Sequence, residues 1–168
     1  MEINNGNLKS FKERKFPKKI SFIPIGIIHS PFKNLKGIPI QPTMSKTEGE
    51  IEIFPEFQNG LKDLEKFSHI LCLYVFDMVK QPVPLQSKPF LQNNVKGVFS
   101  IRTPFRPNPI GLSLLELLGI SRNIIKVKNI DILDQTPVLD IKPYVPQFDF
   151  RETNKIGWLK NNIRNKTS

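Results

Sequence analysis

Apolar and polar residues alternate in short stretches along most of the chain, and turn-forming residues separate these stretches. Residues 48–54 alternate throughout, with Ile51 and Ile53 on one face, which predicts a half-buried strand. Residues 69–79 are apolar on both faces and rich in residue types that favour sheets, which predicts a central strand. The same pattern predicts further strands over residues 22–30, 95–102, 122–133 and 138–142.

Three parts of the pattern are less regular. Pro24 and Gly26 interrupt the first stretch and indicate an edge strand or a bend. Pro55 begins a short helix, because apolar residues recur after it at helical spacing. Residues 112–119 fit a helix face as well as a strand. Short strands with one clear helix and many turns predict a mainly β (α+β) fold, a closed or nearly closed β-barrel.

Residues 102–109, named here the proline loop, are the most unusual segment. Three prolines fall within six residues: Pro104, Pro107 and Pro109. Each proline fixes φ and removes a backbone donor, so the segment should be a stiff loop, anchored by the apolar runs on both sides. Its ligand-type side chains are those of Arg102, Arg106 and Asn108. Such a loop loses little entropy when it binds something, although a proline-rich connector is the alternative.

The formal net charge of +10 is concentrated at the two ends of the chain. Residues 1–20 hold six basic and two acidic residues, and residues 151–168 hold five basic and one acidic. We therefore expect a basic N-terminal tail (1–20), a nearly neutral barrel domain (21–150) and a basic C-terminal segment (151–168). Basic tails suit a polyanionic partner such as RNA, and the alternative is that they only keep the protein soluble.

The sequence also limits the compartment and the chemistry. Residues 1–20 have no apolar core of signal-peptide type, and residues 70–76 are too short to cross a bilayer. Cys72, the single cysteine, should be a buried, unpaired thiol. We therefore expect a soluble cytoplasmic protein with no membrane contact.

Several kinds of site are excluded or disfavoured by the residues present. No two glycines lie within two residues of each other, which excludes a Rossmann fingerprint and a P-loop. His29 and His69, the two histidines, lie far apart, so we expect no metal centre. No serine has the glycine pattern of a nucleophile elbow, although a catalytic triad is not excluded by counting.

Several motifs resemble one known family. They are IRTPFRPNPIGLS in and after the proline loop, LDQTPVLDIKPYVPQFD after it, and IGIIHSPF and GLKDLEKFSHILCLYVF before it. Together they are similar to the TsaA-like (TrmO) family over about residues 23–149. This resemblance implies a single-sheeted β-barrel with peripheral helices, in which residues 112–119 form a strand. It also implies a homodimer and an S-adenosylmethionine-dependent methyltransferase that modifies N6 of threonylcarbamoyladenosine beside the tRNA anticodon.

The resemblance further implies which residues contact the cofactor. Carried over position by position, they are Pro39, Ile40, Gln41, Phe76, Asp77, Arg102, Leu112, Asp134, Gln135, Thr136 and Pro137. Arg102 could pair with the carboxylate of S-adenosylmethionine, or it could only form an ion pair at the surface. Asp134 could accept from a ribose hydroxyl or an amine, or it could only close an Asx-turn.

Three of these positions depart from the family pattern. Ile40 stands where relatives usually have arginine, Asp77 where many have histidine, and Gln135 where glycine is common. If the turn at Gln135 needs a positive φ, this residue is strained, or the turn has changed its shape.

The residues that act on the acceptor are less defined by the sequence. The resemblance leaves Asp140 and Tyr144 as catalytic candidates, and Arg106, Asn108 and Lys142 as substrate-binding candidates. Asp140 and Lys142 could instead form a core salt bridge, with Tyr144 at the rim. A non-catalytic barrel that binds RNA or a nucleotide-like ligand is the alternative to a tRNA methyltransferase.

Overall fold

The computed structural model describes residues 15–160, and six of its strands close into one antiparallel barrel. Their order around the barrel is β1-β2-β7-β6-β3-β8. The strands are β1 (Gly26–His29), β2 (Glu48–Ile53), β3 (His69–Val75), β6 (Ile110–Ser121), β7 (Ile124–Lys128) and β8 (Pro137–Pro143). Two short strands, β4 (Gln86–Ser87) and β5 (Lys96–Gly97), pair with each other outside the barrel.

The helices of the described residues are short and peripheral. Most are single 3₁₀ turns or little more, and the longest is the 3₁₀ helix Pro55–Leu61. The α-helix α1 is Pro146–Asp149, directly after β8. Most of the hydrophobic core must therefore come from the strands.

The barrel core follows from the alternation of the strands. Buried and partly exposed residues alternate along β1 and β3, because successive side chains of a strand point to opposite faces. The inward-facing residues are almost all aliphatic: Ile28, Ile51, Ile53, Ile70, Leu115, Ile125, Val127 and Val138. Ile130 and Ile132, which follow β7, are buried against the same cluster and cover one end of the barrel.

Because neighbouring strands are antiparallel, the loops divide between the two ends of the barrel. Residues 30–47, 76–109 and 129–136 connect strands at the end where β1, β3 and β7 finish. This end is named here the loop end, and the opposite end the far end. Residues 54–68, residues 122–123 and the start of the chain after β8 lie at the far end. The proline loop therefore lies at the loop end.

The predicted fold class is confirmed, including a strand in place of the ambiguous residues 112–119. The helix after Pro55 forms as a 3₁₀ helix. The strand predicted over residues 95–102 is wrong beyond β5, because residues 98–100 form a 3₁₀ turn. This turn buries Val98 and Ile101, which are three residues apart, and leaves Phe99 exposed, which a strand could not do.

Of the two alternatives for the first strand, an edge position or a bend, the edge position is wrong, and two predicted strands are shorter than expected. β1 pairs with β2 on one side and β8 on the other, so barrel closure leaves it no free edge. Only residues 26–29 of the predicted 22–30 are strand. Residues 122–133 are reduced to β7, since Arg122 and Asn129 have positive φ angles of 55° and 66° and turn the chain.

Two smaller predictions concern single residues. Cys72 is a free thiol with no exposed surface, as expected, and burial raises its pKa to about 12, so it stays protonated. Trp158 indicates that the C-terminal segment docks, because its indole Nε1 donates to the Ser100 carbonyl oxygen at 2.8 Å.

The outermost parts of both predicted basic segments, residues 1–14 and 161–168, lie outside the described residues. Between residues 15 and 160, no helix has the length and apolar character needed to span a bilayer.

One glycine in β6 is required by close packing. A Cβ atom on Gly111 would lie 2.2 Å from Cε2 of the buried Tyr74 ring. We predict that Gly111→Ala destabilises the fold by about 1–3 kcal/mol, the usual cost of overpacking a core. The melting temperature should fall by about 2–4 °C for each kcal/mol lost.

Gly119→Ala, in the same strand, is the matched control, because a Cβ atom added there would meet no atom within 4 Å beyond its chain neighbours. Equal melting temperatures for the two variants, measured by circular dichroism, would contradict this account of Gly111.

Candidate functional site

The predicted cofactor residues are brought together at one end of the barrel. Residues 39–41 lie between β1 and β2, residues 76–77 directly after β3, and Arg102 before β6. Residues 134–136 precede β8 and Pro137 begins it. All of these connections emerge at the loop end, so separate segments of the sequence share one surface.

Arg102 and Gln41 are in direct contact, although they are 61 residues apart in the sequence. The Arg102 guanidinium donates from Nη1 to Gln41 Oε1 at 3.1 Å, and the contact is exposed to solvent. The Pro42–Met44 turn, which follows Gln41, packs beside β6. An exposed cation is thus held beside an amide, an arrangement that can bind a carboxylate and a neighbouring polar group.

The proline loop is held in place by hydrogen bonds to the segments that surround it. Nη1 of Arg106 donates to the carbonyl oxygens of Val98 and Ile101, at 3.0 and 2.8 Å. Gln81 donates in turn from Nε2 to the Arg106 carbonyl oxygen at 2.9 Å. The Phe76 amide donates to the Pro109 carbonyl oxygen at 2.8 Å, which ties the loop to the end of β3. These bonds keep the stiff segment in one position.

Asp134 joins the β7–β8 turn to the end of β1. Its Oδ1 accepts from the Ser30 amide at 2.9 Å, and its Oδ2 pairs with Lys33 Nζ at 2.6 Å. The hydrogen bond from Lys33, aided by the Ser30 amide and the charge of Lys33, holds the pKa of Asp134 below its usual value. The carboxylate is therefore charged and links two loops that are distant in the sequence.

Gln135 has a positive φ of 65°, the left-handed conformation that glycine adopts without strain. The positive φ on which the expectation of strain at this residue depends is therefore present. Its amide Nε2 lies 3.4 Å from His29 Nδ1, and His29 Nε2 lies 2.7 Å from Glu52 Oε2. In the tautomer that satisfies both contacts, His29 accepts from Gln135 and donates to Glu52.

His29 and Lys33 are two residues of this region that the sequence pattern did not assign. Both belong to IGIIHSPFK, in the first motif and directly after it. Their partners, Gln135 and Asp134, are about a hundred residues away, so the pairing depends on the closure between β1 and β8. The position of His29 at the end of a strand was the signal that could have found it.

The remaining predicted cofactor residues provide apolar surface and backbone. Phe76 is half-buried and packs edge-to-face on Tyr74, with ring centroids 5.2 Å apart. Leu112 is 56% exposed on the outside of the barrel wall, opposite Leu73. Thr136 is buried, and its carbonyl oxygen accepts from the Ile28 amide. Pro39 is half-buried, whereas Ile40 and Asp77 are exposed.

Not all of the residues predicted to act on the acceptor lie at the loop end. The Tyr144 amide donates to the His69 carbonyl oxygen at the start of β3, so Tyr144 lies at the far end. Asp140 is opposite Leu73 in the sheet, and its Oδ2 pairs with Lys142 Nζ at 2.7 Å. The salt bridge that the sequence left open therefore forms, but it is exposed to solvent and does not lie in the core. The hydrogen bond and charge of Asp140 raise the pKa of Lys142. Asn108 is exposed in the proline loop, next to the start of β6.

A small group of hydrogen-bonded polar side chains is buried in the barrel, among residues that are mostly apolar. Ser113 is buried and donates to Asp131 Oδ1 at 2.6 Å, and the Tyr74 hydroxyl lies 3.3 Å from Ser113 Oγ. Burial raises the pKa of Asp131, against the hydrogen bond from Ser113. Within residues 15–160, no group of three or more His, Cys, Asp or Glu side chains is placed to hold a metal ion.

The sequence matches the family model described as the tRNA-methyltransferase O N-terminal domain over residues 27–150. A probable S-adenosyl-L-methionine-binding protein of Pyrococcus abyssi is 51% identical over 148 residues, which cover 88% of this chain and 80% of that protein. A tRNA (adenine(37)-N6)-methyltransferase of Escherichia coli is 39% identical over 135 residues, which cover 74% of this chain and 57% of that protein.

The fold is similar to solved structures as well. The crystal structure of TrmO from Pseudomonas aeruginosa superposes with a TM-score of 0.69 at 36% identity, and the match covers 83% of this chain and 62% of that one. This chain therefore spans about three fifths of the TrmO chain and of the Escherichia coli enzyme. The family match extends from β1 to the end of α1 and includes the whole barrel with its loop end. This chain belongs to the tRNA-methyltransferase O family and carries the N-terminal barrel domain of that family.

Proposed function

We propose that this protein is an S-adenosylmethionine-dependent tRNA methyltransferase that methylates N6 of threonylcarbamoyladenosine beside the anticodon. The observation that carries the proposal is the contact between Arg102 and Gln41 at the loop end. This contact holds the exposed guanidinium of Arg102 beside the stiff proline loop, where S-adenosylmethionine, the methyl donor, would bind in members of the family. The names of the relatives agree, since they include an S-adenosyl-L-methionine-binding protein and a tRNA (adenine(37)-N6)-methyltransferase.

The residues at the loop end fit the chemical groups of S-adenosylmethionine. Arg102 would pair with the amino acid carboxylate, and Gln41 would orient the guanidinium. Phe76 and Leu112 offer apolar surface for the adenine. The turn of Asp134 and Gln135 offers a charged carboxylate and backbone groups for ribose hydroxyls or the amino group. When bound, S-adenosylmethionine supplies an electrophilic methyl group on a sulfonium centre.

The acceptor nitrogen needs little help from the protein in this proposal. The carbamoyl group makes the N6 proton of the modified adenine more acidic, so a weak base or an ordered water could remove it. The new N–C bond forms as the methyl–sulfur bond breaks, and S-adenosylhomocysteine leaves. Arg106 uses one nitrogen for two backbone bonds and has further N–H groups for the threonyl carboxylate.

Arg102→Ala tests the donor site. We predict that the variant binds S-adenosylmethionine more weakly by about 1.5–3 kcal/mol, the usual loss for a hydrogen bond to a charged group. Isothermal titration calorimetry measures this difference. Arg151→Ala is the control, because Arg151 is also exposed but lies just after α1, outside the three connections that form the loop end. Equal affinities for the Arg102→Ala protein and the wild type would remove Arg102 from the site.

A comparison of tRNA transcripts with and without the threonylcarbamoyl group tests which nucleoside accepts the methyl group. We predict methyl transfer to a tRNA transcript that carries the threonylcarbamoyl group and little to the matched unmodified transcript, measured by nucleoside mass spectrometry. A plain adenine amine is a poor nucleophile, because its lone pair is delocalised into the ring. Comparable N6-methylation of both transcripts would contradict this mechanism. Donor and tRNA binding without methylation of either would favour the non-catalytic barrel instead.

We also infer that the protein works as a homodimer. Three outward-facing pairs of apolar residues lie side by side on β3 and β6: Leu71 with Leu114, Leu73 with Leu112, and Val75 with Ile110. Ile110, Leu112 and Leu114 are 36–56% exposed. A contiguous apolar wall of this kind on a barrel supports a protein–protein interface.

Leu114→Glu tests the dimer. A charge in the middle of the apolar wall should shift the protein towards monomer in sedimentation velocity, because the buried glutamate would have no partner. Phe148→Glu in α1, at an exposed apolar residue of the far end, should leave the sedimentation coefficient unchanged. A wild type that sediments as a monomer at all concentrations would reject the dimer.

Three further expectations belong to the same proposal. A tRNA substrate implies a cytoplasmic location. The basic residues within 1–20 and 151–168 would add sequence-independent attraction for tRNA. The domain division at residues 20 and 150 stays a prediction.

A further inference from the structure

The segment that covers the loop end has an unusual charge distribution. Residues 78–115 contain five basic residues and no acidic one: Lys80, Lys88, Lys96, Arg102 and Arg106. The rest of the barrel domain, residues 21–77 and 116–150, contains nine basic and twelve acidic residues, a net charge of −3. The nearly neutral domain is therefore polarised, with its positive side at the loop end.

Most of these cations are accessible to a ligand. Lys80, Lys88 and Arg102 are exposed, and Lys96 is partly exposed. None of the salt bridges found within residues 15–160 includes any of the four. A cluster of unneutralised cations attracts a polyanion from a distance and releases counterions when phosphates bind.

The same segment exposes large aromatic rings. Phe90 and Phe99 are each 79% exposed, and Phe105 is 54% exposed. Exposed phenylalanines interleaved with lysine and arginine are the combination by which proteins bind single-stranded nucleic acid, since bases stack on the rings and cations contact the backbone.

Phe99 is held rigidly on this surface. Its neighbours Val98 and Ile101 are 1% and 6% exposed, and they anchor the 3₁₀ turn in which Phe99 lies. The Val98 amide donates to the Leu85 carbonyl oxygen at 3.0 Å, which fixes the turn to the β4–β5 hairpin. The Arg106 guanidinium lies over the ring, 5.9 Å from its centroid. A ring fixed in this way loses little entropy when a base stacks on it.

We propose that the surface formed by residues 80–106, named here the flap, is the docking site for the single-stranded loop of the tRNA anticodon arm, with Phe99 as a stacking platform and Lys88 and Lys96 as phosphate contacts. This inference rests on the proposed function, because the flap is part of the loop end, where the donor would bind. A base stacked on Phe99 would place its neighbour in the RNA close to Arg102 and the proline loop.

A second copy of the chain fits this surface less well. In a two-fold dimer centred on the flap, the same patch of each subunit meets its partner. Five cations would then oppose five cations with no acidic residue of the segment between them. RNA supplies the opposite charge and the flat bases together.

Binding of a fluorescent 17-nucleotide anticodon stem-loop, compared with a fully paired RNA duplex of equal charge, tests the proposal by anisotropy. Phe99→Ala should weaken stem-loop binding about 5- to 150-fold, the range for one lost stacked base, and change duplex binding much less. Phe148→Ala is the matched control, because this ring is 74% exposed at the far end. It should bind both RNAs as the wild type does.

The lysines are tested by salt dependence. Lys88→Gln combined with Lys96→Gln should lower the slope of log affinity against log salt by about 1.4, or about 0.7 for each lost contact with a single strand. Lys62→Gln combined with Lys126→Gln removes equal charge from exposed positions outside the flap and should change the slope less. Both flap variants should keep the wild-type affinity for S-adenosylmethionine.

The outcomes separate this inference from the proposed function. If the wild type methylates threonylcarbamoylated tRNA but the flap variants keep wild-type RNA affinity and salt slope, the flap proposal is wrong and the function stands. If no tRNA is methylated but the variants lose RNA binding, the flap stands and the proposed activity fails. Loss of dimerisation in the flap variants, with RNA affinity unchanged, would assign the flap to a second copy and overturn the proposal.

Discussion

Closure of the barrel between β1 and β8 is the constraint on which the rest of the structure depends. The paired residues are only Gly26 with Val138 and Ile27 with Pro137. Backbone bonds extend the seam on both sides. The Ile25 amide donates to the Val138 carbonyl oxygen, the Ile28 amide to that of Thr136, and the Gln135 amide to that of Ile28. Closure removes the free edges of the sheet, and it brings the turn before β8 against the end of β1.

The candidate site is a consequence of this closure. The Asp134 contacts with Ser30 and Lys33 and the Gln135 contact with His29 all cross the seam. At the same end of the barrel, the proline loop is tied to the end of β3 by the bond between Phe76 and Pro109. It is joined to the β1–β2 loop through Arg102 and Gln41. The barrel thus provides a rigid rim, and the loops on that rim carry the ligand-type side chains, as is usual for binding sites.

The sequence predicted the parts of the fold that depend on local alternation. β2 was located because its two faces have different environments, and β3 because a run of apolar, sheet-favouring residues marks a central strand. Residues 95–102 were misassigned because apolar residues three apart can be buried by a 3₁₀ turn, and the pattern of a short segment does not distinguish this from a strand. The edge position of β1 was misjudged because its second neighbour, β8, is more than a hundred residues away.

Motifs located the loop-end site better than they located the acceptor residues. Most cofactor candidates lie on loops whose position at the loop end follows from the strand order. Tyr144 follows β8 and lies at the far end. The partners of Asp134 and His29 needed the register of distant strands, which no local pattern contains. The charge of the flap was hidden because the average over residues 21–150 cancels a positive segment against a negative remainder.

The central claim is that S-adenosylmethionine binds at the loop end, and hydrogen–deuterium exchange with and without a saturating concentration of it tests this claim most directly. The account predicts slower amide exchange in peptides that cover residues 36–46 and 130–138, which the donor would contact on both sides of the rim. Peptides of the far end, residues 55–67 and 144–150, should exchange at unchanged rates. Protection confined to the far end, or none at the loop end under conditions where calorimetry shows binding, would contradict the account.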